Sequence, residues 1–439
     1  MPFTKTKYFI QTIGCQMNSY DSTVYEETLL QHGMIPSPTA QDADFIIINT
    51  CAVRDKSVQK AASAIGRIHL RKQQKESLLL CVVGCASDLL STISHRNTID
   101  YLHGALNSTH VDPSFDSFLK EHGFTSNNSL QEVPIETHPA NLSKYIPIIF
   151  GCNSFCTYCI VPYVRGREKS RSVKTILEDV KESLQNGIKE IVLLGQNVNC
   201  YGQDLQPSIP FSELLDQVAS IPGIQRLDFL TSHPREFQKD LLEVISKHDS
   251  IVKRFHFPVQ HGDNDILKKM KRGYTAQEYL EKISWIRSYF PHASITTDII
   301  VGFPGETTSA FENTLSLLEQ VRFDSVFGAV YSPRPGTKAA TYPNQISPLT
   351  GKNRLNILLA KQKEITKTNI QRFLHQTCKV FVLHISGQKG VGKTWEDRLI
   401  HFSDPSESSI QPGDTIYVDV DCIHDFTLKG QIIPSHNDE

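Results

Sequence analysis

Gly151-Cys152-Asn153-Ser154-Phe155-Cys156-Thr157-Tyr158-Cys159 places three cysteines at C-x3-C-x2-C spacing. Thiolates this close along a chain can wrap one face of an iron–sulfur cubane, each taking a different iron. Three ligands leave the fourth iron without a protein ligand, and an open metal position is where a reactant binds. A structural zinc knuckle wants a fourth Cys or His nearby, and Ile160-Val161-Pro162-Tyr163 supplies none. A disulfide would pair two thiols and strand the third. The spacing favours a three-ligand cluster on Cys152, Cys156 and Cys159 over zinc or unligated core cysteines.

Around this loop the chain alternates strand and helix patterns. Six strands are expected at 146–150, 190–194, 226–230, 254–259, 294–301 and 325–331, with amphipathic helices at 173–185, 211–219, 236–247, 277–289 and 309–320. Each strand runs into a polar or Gly/Pro-rich turn: the cysteine loop, Gly195-Gln196-Asn197, Thr231-Ser232-His233-Pro234, Gln260-His261-Gly262, Gly302-Phe303-Pro304-Gly305-Glu306 and Ser332-Pro333-Arg334-Pro335-Gly336. Units that all place their unusual residues after the strand describe a partial (β/α)6 barrel with its site at the carboxyl face. Eight units would close the barrel; six leave an opening that suits a bulky substrate.

Upstream, Lys7–Ile13, Phe45–Asn49 and Ser77–Val83 read as strands, separated by helical patterns over 21–32, ending at Gly33, and over 57–70. The βαβαβ order implies a Rossmann-like parallel sheet. Cys15, Cys51 and Cys85 follow the three strands, in Gly-Cys, Thr-Cys and Gly-Cys pairs. Ligands of open parallel sheets bind beyond the carboxyl ends of the strands, so these cysteines are expected to converge as a second three-thiolate set. The competing reading is three unrelated core cysteines. Cys81 lies inside a strand and is expected in the core.

Residues 121–145 are polar with scattered Pro and read as a linker. After a long basic helix over 352–374, strand patterns at 378–385, 398–402, 415–420 and 426–433 suggest a small antiparallel β-barrel of the oligonucleotide-binding kind, with Cys378 and Cys422 in its core. The expected organisation is an α/β chain with an N-terminal cluster domain at 1–125, a linker at 126–145, a barrel core at 146–370 and a small RNA-binding barrel at 371–439. At 439 residues several such domains are needed, because one core does not grow that large. Met1-Pro2-Phe3-Thr4-Lys5-Thr6-Lys7 lacks a signal-peptide pattern, and no apolar run approaches the roughly 20 residues that span a bilayer. A cytoplasmic protein with reduced thiols and no membrane partner is expected. The net charge of −2 announces no nucleic acid, so RNA contact must come from local patches.

The cysteine loop on a six-unit barrel resembles the radical S-adenosylmethionine superfamily. The full pattern, N-terminal three-cysteine domain, radical core and C-terminal TRAM domain, resembles the methylthiotransferase family along essentially the whole chain. Gly14-Cys15-Gln16-Met17-Asn18, Asn49-Thr50-Cys51-Ala52-Val53-Arg54 and Gly195-Gln196-Asn197-Val198-Asn199-Cys200-Tyr201-Gly202 are similar to its tRNA-modifying branch. Branches acting on threonylcarbamoyl-adenosine or a ribosomal aspartate fit these turns less well. The resemblance implies a 4Fe-4S cluster on Cys152, Cys156 and Cys159 that binds S-adenosylmethionine, and a second 4Fe-4S cluster on Cys15, Cys51 and Cys85. S-adenosylmethionine serves in the family as radical source and as methyl donor. The implied product carries a methylthio group at carbon 2 of an isopentenylated adenosine beside the anticodon.

Tyr158 is expected to pack on the cofactor's adenine, and Gln196, Asn197, Gln260 and Asp298 to bind its polar groups; each has a plain structural alternative as a core aromatic or a turn cap. Arg165, Arg167 and Arg171 form a basic run past the cluster loop, expected at phosphate of the tRNA anticodon stem-loop. Lys268-Lys269-Met270-Lys271-Arg272 is a second basic patch. An electron donor such as flavodoxin or ferredoxin, a sulfur donor and a monomeric state complete the implied picture. The chain departs from the family pattern at His261, at Cys200, and in a shortened loop expected around Gly387 to Lys393. A redox-sensing RNA-binding protein is the alternative class, disfavoured because a sensor needs no cofactor-shaped cavity.

Overall fold

The computed structural model describes residues 6–53, 55–74, 77–125, 142–404 and 410–433. It divides into two compact units, one comprising described residues up to 125 with 150–155 and 159–169, the other 142–149, 156–158 and everything described from 170 onward. The stretch read as a linker lies largely outside the described residues, but its end is a strand, Ser143–Pro147.

In the first unit a parallel sheet runs in the order Ile35–Pro36, Lys7–Ile13, Phe45–Thr50, Leu79–Gly84, Tyr101–His103. The two outer strands extend the expected three. All six residues of Phe45–Thr50 are buried, as a central strand covered on both faces requires. Helix Gln16–Gln31 starts on Cys15, and Gly33 turns the chain away with φ +76°. Helix Asp55–Lys72 sends Ala61, Ala64, Ile65 and Ile68 into the core against Ile46 and Ile48.

In the second unit Ser143–Pro147, Glu190–Leu194 and Arg226–Phe229 pair in parallel, as do Arg254–His256, Ser294–Val301 and Ser325–Val330. The triplets are two sheets, and a lone parallel bridge from Leu227 to Ile251, ahead of Arg254–His256, continues the series from the first to the second. Helices Val173–Gln185, Phe211–Ala219, Lys239–Lys247, Ala276–Tyr289 and Thr308–Val321 follow the first five strands. Their apolar faces and the strands share one core, including Ile176, Leu214, Leu242, Tyr279 and Leu318. Helix Pro348–Ile370 lies on the last strand, where Gly328 leaves room for Leu355 and Leu358.

The same unit carries a closed barrel in the order Thr377–Ser386, Lys389–Thr394, Leu399–Ser403, Thr427–Ile432, Thr415–His424. Three expectations are corrected here. The stretch around Gly387 to Lys393 is not a shortened loop: Lys389–Thr394 is a strand of the barrel. Its glycines are packing sites. A Cβ on Gly390 would meet the Phe402 ring, and one on Gly392 would meet Val380 and the Phe381 carbonyl. The barrel is also not wholly antiparallel, because Leu399–Ser403 and Thr427–Ile432 pair in parallel to close it. Cys378 is buried as expected, but Cys422 is exposed. The register shifts between Val420 and Cys422, and a one-residue slip moves a side chain to the other face.

Charged groups seat this barrel on the six-strand core. The fully buried Arg226 donates to Glu190 at 2.8 Å, to the Thr394 carbonyl at 2.9 Å and to Asp397 at 3.0 Å, and Lys393 reaches Glu190 at 2.7 Å. Gly430 tests the closure, since a Cβ there would fall on the Asp419 carbonyl oxygen across the ladder. Gly430→Ala is expected to destabilise the protein by about 2–3 kcal/mol in denaturant unfolding, the usual scale for overpacking a closed core.

Candidate functional site

Cys15, Cys51 and Cys85 leave three adjacent strands at nearly the same height. Ile13, Thr50 and Gly84 are partners in register; Cys51 and Cys85 come one residue later and Cys15 two. Adjacent strands stand about 4.8 Å apart, so the thiols gather at one sheet end although they are distant in sequence. A buried amide pair shapes the rim. Asn18 donates to Asn49 at 2.9 Å and to the Thr50 carbonyl at 3.0 Å, and Asn49 returns a bond to the Asn18 carbonyl at 2.8 Å. Asn18 Oδ1 also accepts from the Cys15 amide at 3.2 Å. Glycine precedes two of the cysteines for this reason: a Cβ on Gly14 would strike the Asn18 side chain, and one on Gly84 the Asn49 amide.

A bond from the Cys51 thiol and the nearby Arg165 pull the Cys15 thiol well below the usual thiol range. Burial pushes the Cys85 thiol up, against the pull of Arg165. Arg165 is the correction in this unit. Read from the sequence as a phosphate contact, it is 3% exposed and its guanidinium is engaged. It donates to Cys85 Sγ at 3.2 Å, to Asp21 at 2.7 Å and to the Leu106 carbonyl at 3.2 Å. Arg167 is exposed and lies over the Phe155 ring at 4.4 Å. Cys152, buried, and Cys159, half-buried, belong to this unit.

In the second unit, Cys156-Thr157-Tyr158 is pinned by main-chain bonds. Thr157 N donates to the Met270 carbonyl at 3.1 Å, Thr157 Oγ1 to the Lys269 carbonyl at 2.8 Å, and Ala339 N to the Thr157 carbonyl at 2.8 Å. Tyr158 packs with Met270, Phe303 and Ala339. Arg272 donates to Cys156 Sγ at 3.4 Å. It belongs to the run read as a basic patch; Lys268, Lys269 and Lys271 are exposed, but Arg272, like Met270, is buried, so the patch keeps three of its four cations.

The strand-end set lies where the turns were expected. Asn197 is 1% exposed; its Nδ2 meets Cys200 Sγ at 3.0 Å, while its Oδ1 has no partner. Gln196 is half-buried. Gln260 adopts φ +73° and bonds through its backbone to Asp298 and Ile300. Asp298 holds His256 at 3.2 Å. Arg171 is taken up by the Pro147 carbonyl at 3.0 Å and Asp179 at 2.7 Å. His261 is a structural residue, fully buried and bonded to Glu306 at 2.9 Å, which Arg354 holds at 2.6 Å.

Sequence reasoning missed Arg272 and His233. Arg272 was hidden in a charge run; His233 stood in a turn of the right kind, which was the available signal. Its Nδ1 accepts from Arg235 N at 3.2 Å and its Nε2 is buried without a partner. Burial, with Arg272, Arg235 and Lys282 nearby, pulls His233 down to about 2. Below about pH 6.5 the unfolded chain therefore binds a proton that the folded protein refuses, and stability falls on acidification. Between pH 7 and about 5 this one group is expected to cost roughly 2 kcal/mol, and His233→Asn to flatten that part of the slope in denaturant unfolding.

Among the described residues no three His, Cys, Asp or Glu side chains crowd around a single ion position. The donor chemistry nonetheless fits iron–sulfur clusters, whose thiolates bind separate irons. The orphaned Asn197 Oδ1 and His233 Nε2 fit a polar cofactor beside them. No helix among the described residues is long and apolar enough to cross a membrane.

Residues 146–318 match the radical SAM superfamily, and 7–104 match Uncharacterized protein family UPF0004. In fold, the chain is similar to the radical S-adenosylmethionine methyltransferase TsrM of Kitasatospora setae, solved with cobalamin and a [4Fe-4S] cluster, at TM-score 0.55, 11% identity and 77% coverage of each chain. In sequence it is 38% identical, over 97% of its length and 96% of the relative's, to tRNA-2-methylthio-N(6)-dimethylallyladenosine synthase of Natranaerobius thermophilus. The enzyme of the same name from Pelotomaculum thermopropionicum is 40% identical over 88% of each chain. Kinship at that identity along nearly the whole chain makes this protein a member of the tRNA-2-methylthio-N(6)-dimethylallyladenosine synthase family within the radical SAM superfamily.

Proposed function

We propose that this chain is a radical S-adenosylmethionine transferase that converts N6-(dimethylallyl)adenosine beside the tRNA anticodon to its 2-methylthio derivative. Its cofactors are 4Fe-4S clusters and S-adenosylmethionine. Cys152, Cys156 and Cys159 hold one cluster, and Cys15, Cys51 and Cys85 hold the other. One observation carries the reading: three cysteines distant in sequence leave neighbouring strands of one sheet at matched register, in addition to the contiguous loop. When bound, the first cluster and S-adenosylmethionine supply one-electron chemistry able to activate a C–H bond, and the second cluster supplies the sulfur-bearing site.

The chain's own residues bind and orient. Tyr158 offers an aromatic face to the adenine of S-adenosylmethionine. Asn197 Oδ1 accepts from its amino or hydroxyl groups, and Gln196, Gln260 and Asp298 take the remaining polar positions. His233, neutral and buried, keeps that space free of a second positive charge. Arg167, exposed over the Phe155 ring, is the arginine of the loop run that meets phosphate, with Lys268, Lys269 and Lys271 as a second contact. The target adenosine must leave its stack to reach the barrel.

The substrate is tRNA and a one-electron reductant is required. The finer assignments are flavodoxin or ferredoxin as donor, a separate sulfur donor, a monomer, and the cytoplasm as the place where such tRNA is met. Anaerobic reconstitution with iron and sulfide, followed by assay on isopentenylated tRNA, tests the proposal. About eight irons per chain and a methylthio product support it; roughly four irons would remove the second cluster, and zinc in place of iron would remove both.

A further inference from the structure

We propose that each thiolate set is served by one buried arginine and that the two arginines are electrically unlike: Arg272 stands beside Cys156 as an uncompensated cation, whereas Arg165 stands beside Cys85 already neutralised by Asp21. The consequence is that an incoming electron is directed to the C-x3-C-x2-C cluster. This rests on the ligand assignments above.

Arg272 is 4% exposed. Its Nη2 donates to the Pro258 carbonyl at 2.8 Å, its Nε to the Tyr274 hydroxyl at 2.9 Å, and its Nη1 to Cys156 Sγ at 3.4 Å. The Tyr274 hydroxyl in turn donates to the Val259 carbonyl at 2.7 Å, so it remains a neutral phenol. Among the described residues no carboxylate pairs with Arg272. A buried cation without an anion is costly enough that such groups are nearly always paired. The one hydrogen-bond partner of Arg272 able to carry negative charge at neutral pH is the Cys156 sulfur.

Arg165 is buried to the same degree but has its own counter-ion. Asp21 is 1% exposed and takes Nη2 at 2.7 Å and Nη1 at 3.5 Å, a forked pair, leaving Nε for Cys85 Sγ at 3.2 Å. Such a pair is close to neutral as seen from the sulfur, although its hydrogen bond still orients the ligand.

Reduction adds one negative charge to a cluster. A cation at hydrogen-bond distance from a ligand favours the reduced form and raises the midpoint potential, whereas a neutral pair does so far less. Arg272 thus makes its cluster the better electron acceptor than it would otherwise be, and Asp21 withholds that help from the N-terminal set. Both arginines are positioning residues here; neither is placed on the substrate.

The test is a potentiometric titration of the anaerobically reconstituted full chain, followed by electron paramagnetic resonance, with signals assigned in variants lacking the other set's cysteines. Arg272→Gln is expected to lower the equilibrium constant for one-electron reduction of the Cys152/Cys156/Cys159 cluster at least tenfold, a downward shift of about 59 mV, at unchanged iron content. Arg272→Lys, which keeps the charge, is expected to stay near the parent value. Asp21→Asn is expected to shift the N-terminal cluster the other way, upward. An unchanged midpoint in iron-replete Arg272→Gln would overturn the proposal, as would an unchanged or lowered one in Asp21→Asn. If Arg272→Gln fails to fold, Asp21→Asn and Arg272→Lys decide by the same criteria. A parent protein that binds no iron at these cysteines would instead remove the ligand assignment beneath.

Discussion

Cys156→Ala is expected to abolish 5′-deoxyadenosine formation from S-adenosylmethionine, at least about a thousandfold below the parent protein, the scale seen when one member of a set that acts as a unit is removed. Cys156 is the middle ligand of the loop and is 8% exposed, so no neighbouring water or side chain easily replaces it. Its loss also leaves Arg272 without its one hydrogen-bond partner able to carry negative charge. The assay is anaerobic, with dithionite as reductant and chromatographic detection of the nucleoside. Retention of a tenth of the parent rate would mean that Cys156 is not a ligand.

Cys51→Ala is expected to separate the two chemistries. Deoxyadenosine formation should stay within about threefold of the parent, while methylthio product on isopentenylated tRNA should vanish and iron should fall by roughly half. Cys51 is buried at the strand end, accepts from Val53 N at 3.4 Å and bonds to Cys15, so its removal dismantles the N-terminal set alone. Methylthiolated tRNA from this variant would end the division of labour between clusters, because Cys15 and Cys85 alone leave the N-terminal set one thiolate short.

Much of this architecture is legible in one chain because it is written in short-range pattern. Phe45–Thr50 is apolar throughout because both faces of its sheet are covered. The contiguous C-x3-C-x2-C loop announces its ligands by spacing, which needs no knowledge of the fold. Even the convergence of Cys15, Cys51 and Cys85 is inferable, since parallel strands present their carboxyl ends on one side. The misreadings occur where a local signal has two physical meanings. The stretch around Gly387 to Lys393 reads as a shortened loop, yet its Gly390 and Gly392 relieve crowding inside a barrel. Cys422 keeps strand periodicity in the sequence, and a bulge moves it to the outer face.

Fold class, the alternation of strands and helices in the core and the gathering of Cys15, Cys51 and Cys85 at one sheet end are legible in the sequence, because periodicity and spacing act over a few residues, whereas the barrel strand Lys389–Thr394 is not. Only the tertiary structure decides what the arginines do. Arg165 meets Cys85 across 80 positions of chain, and Arg272 meets Cys156 across 116. In the sequence both belong to ordinary basic runs. Burial removes water as their partner, and a guanidinium deprived of water must take whatever anion or carbonyl the fold brings within reach. That choice depends on packing between distant segments, so no reading of neighbours along the chain reveals it.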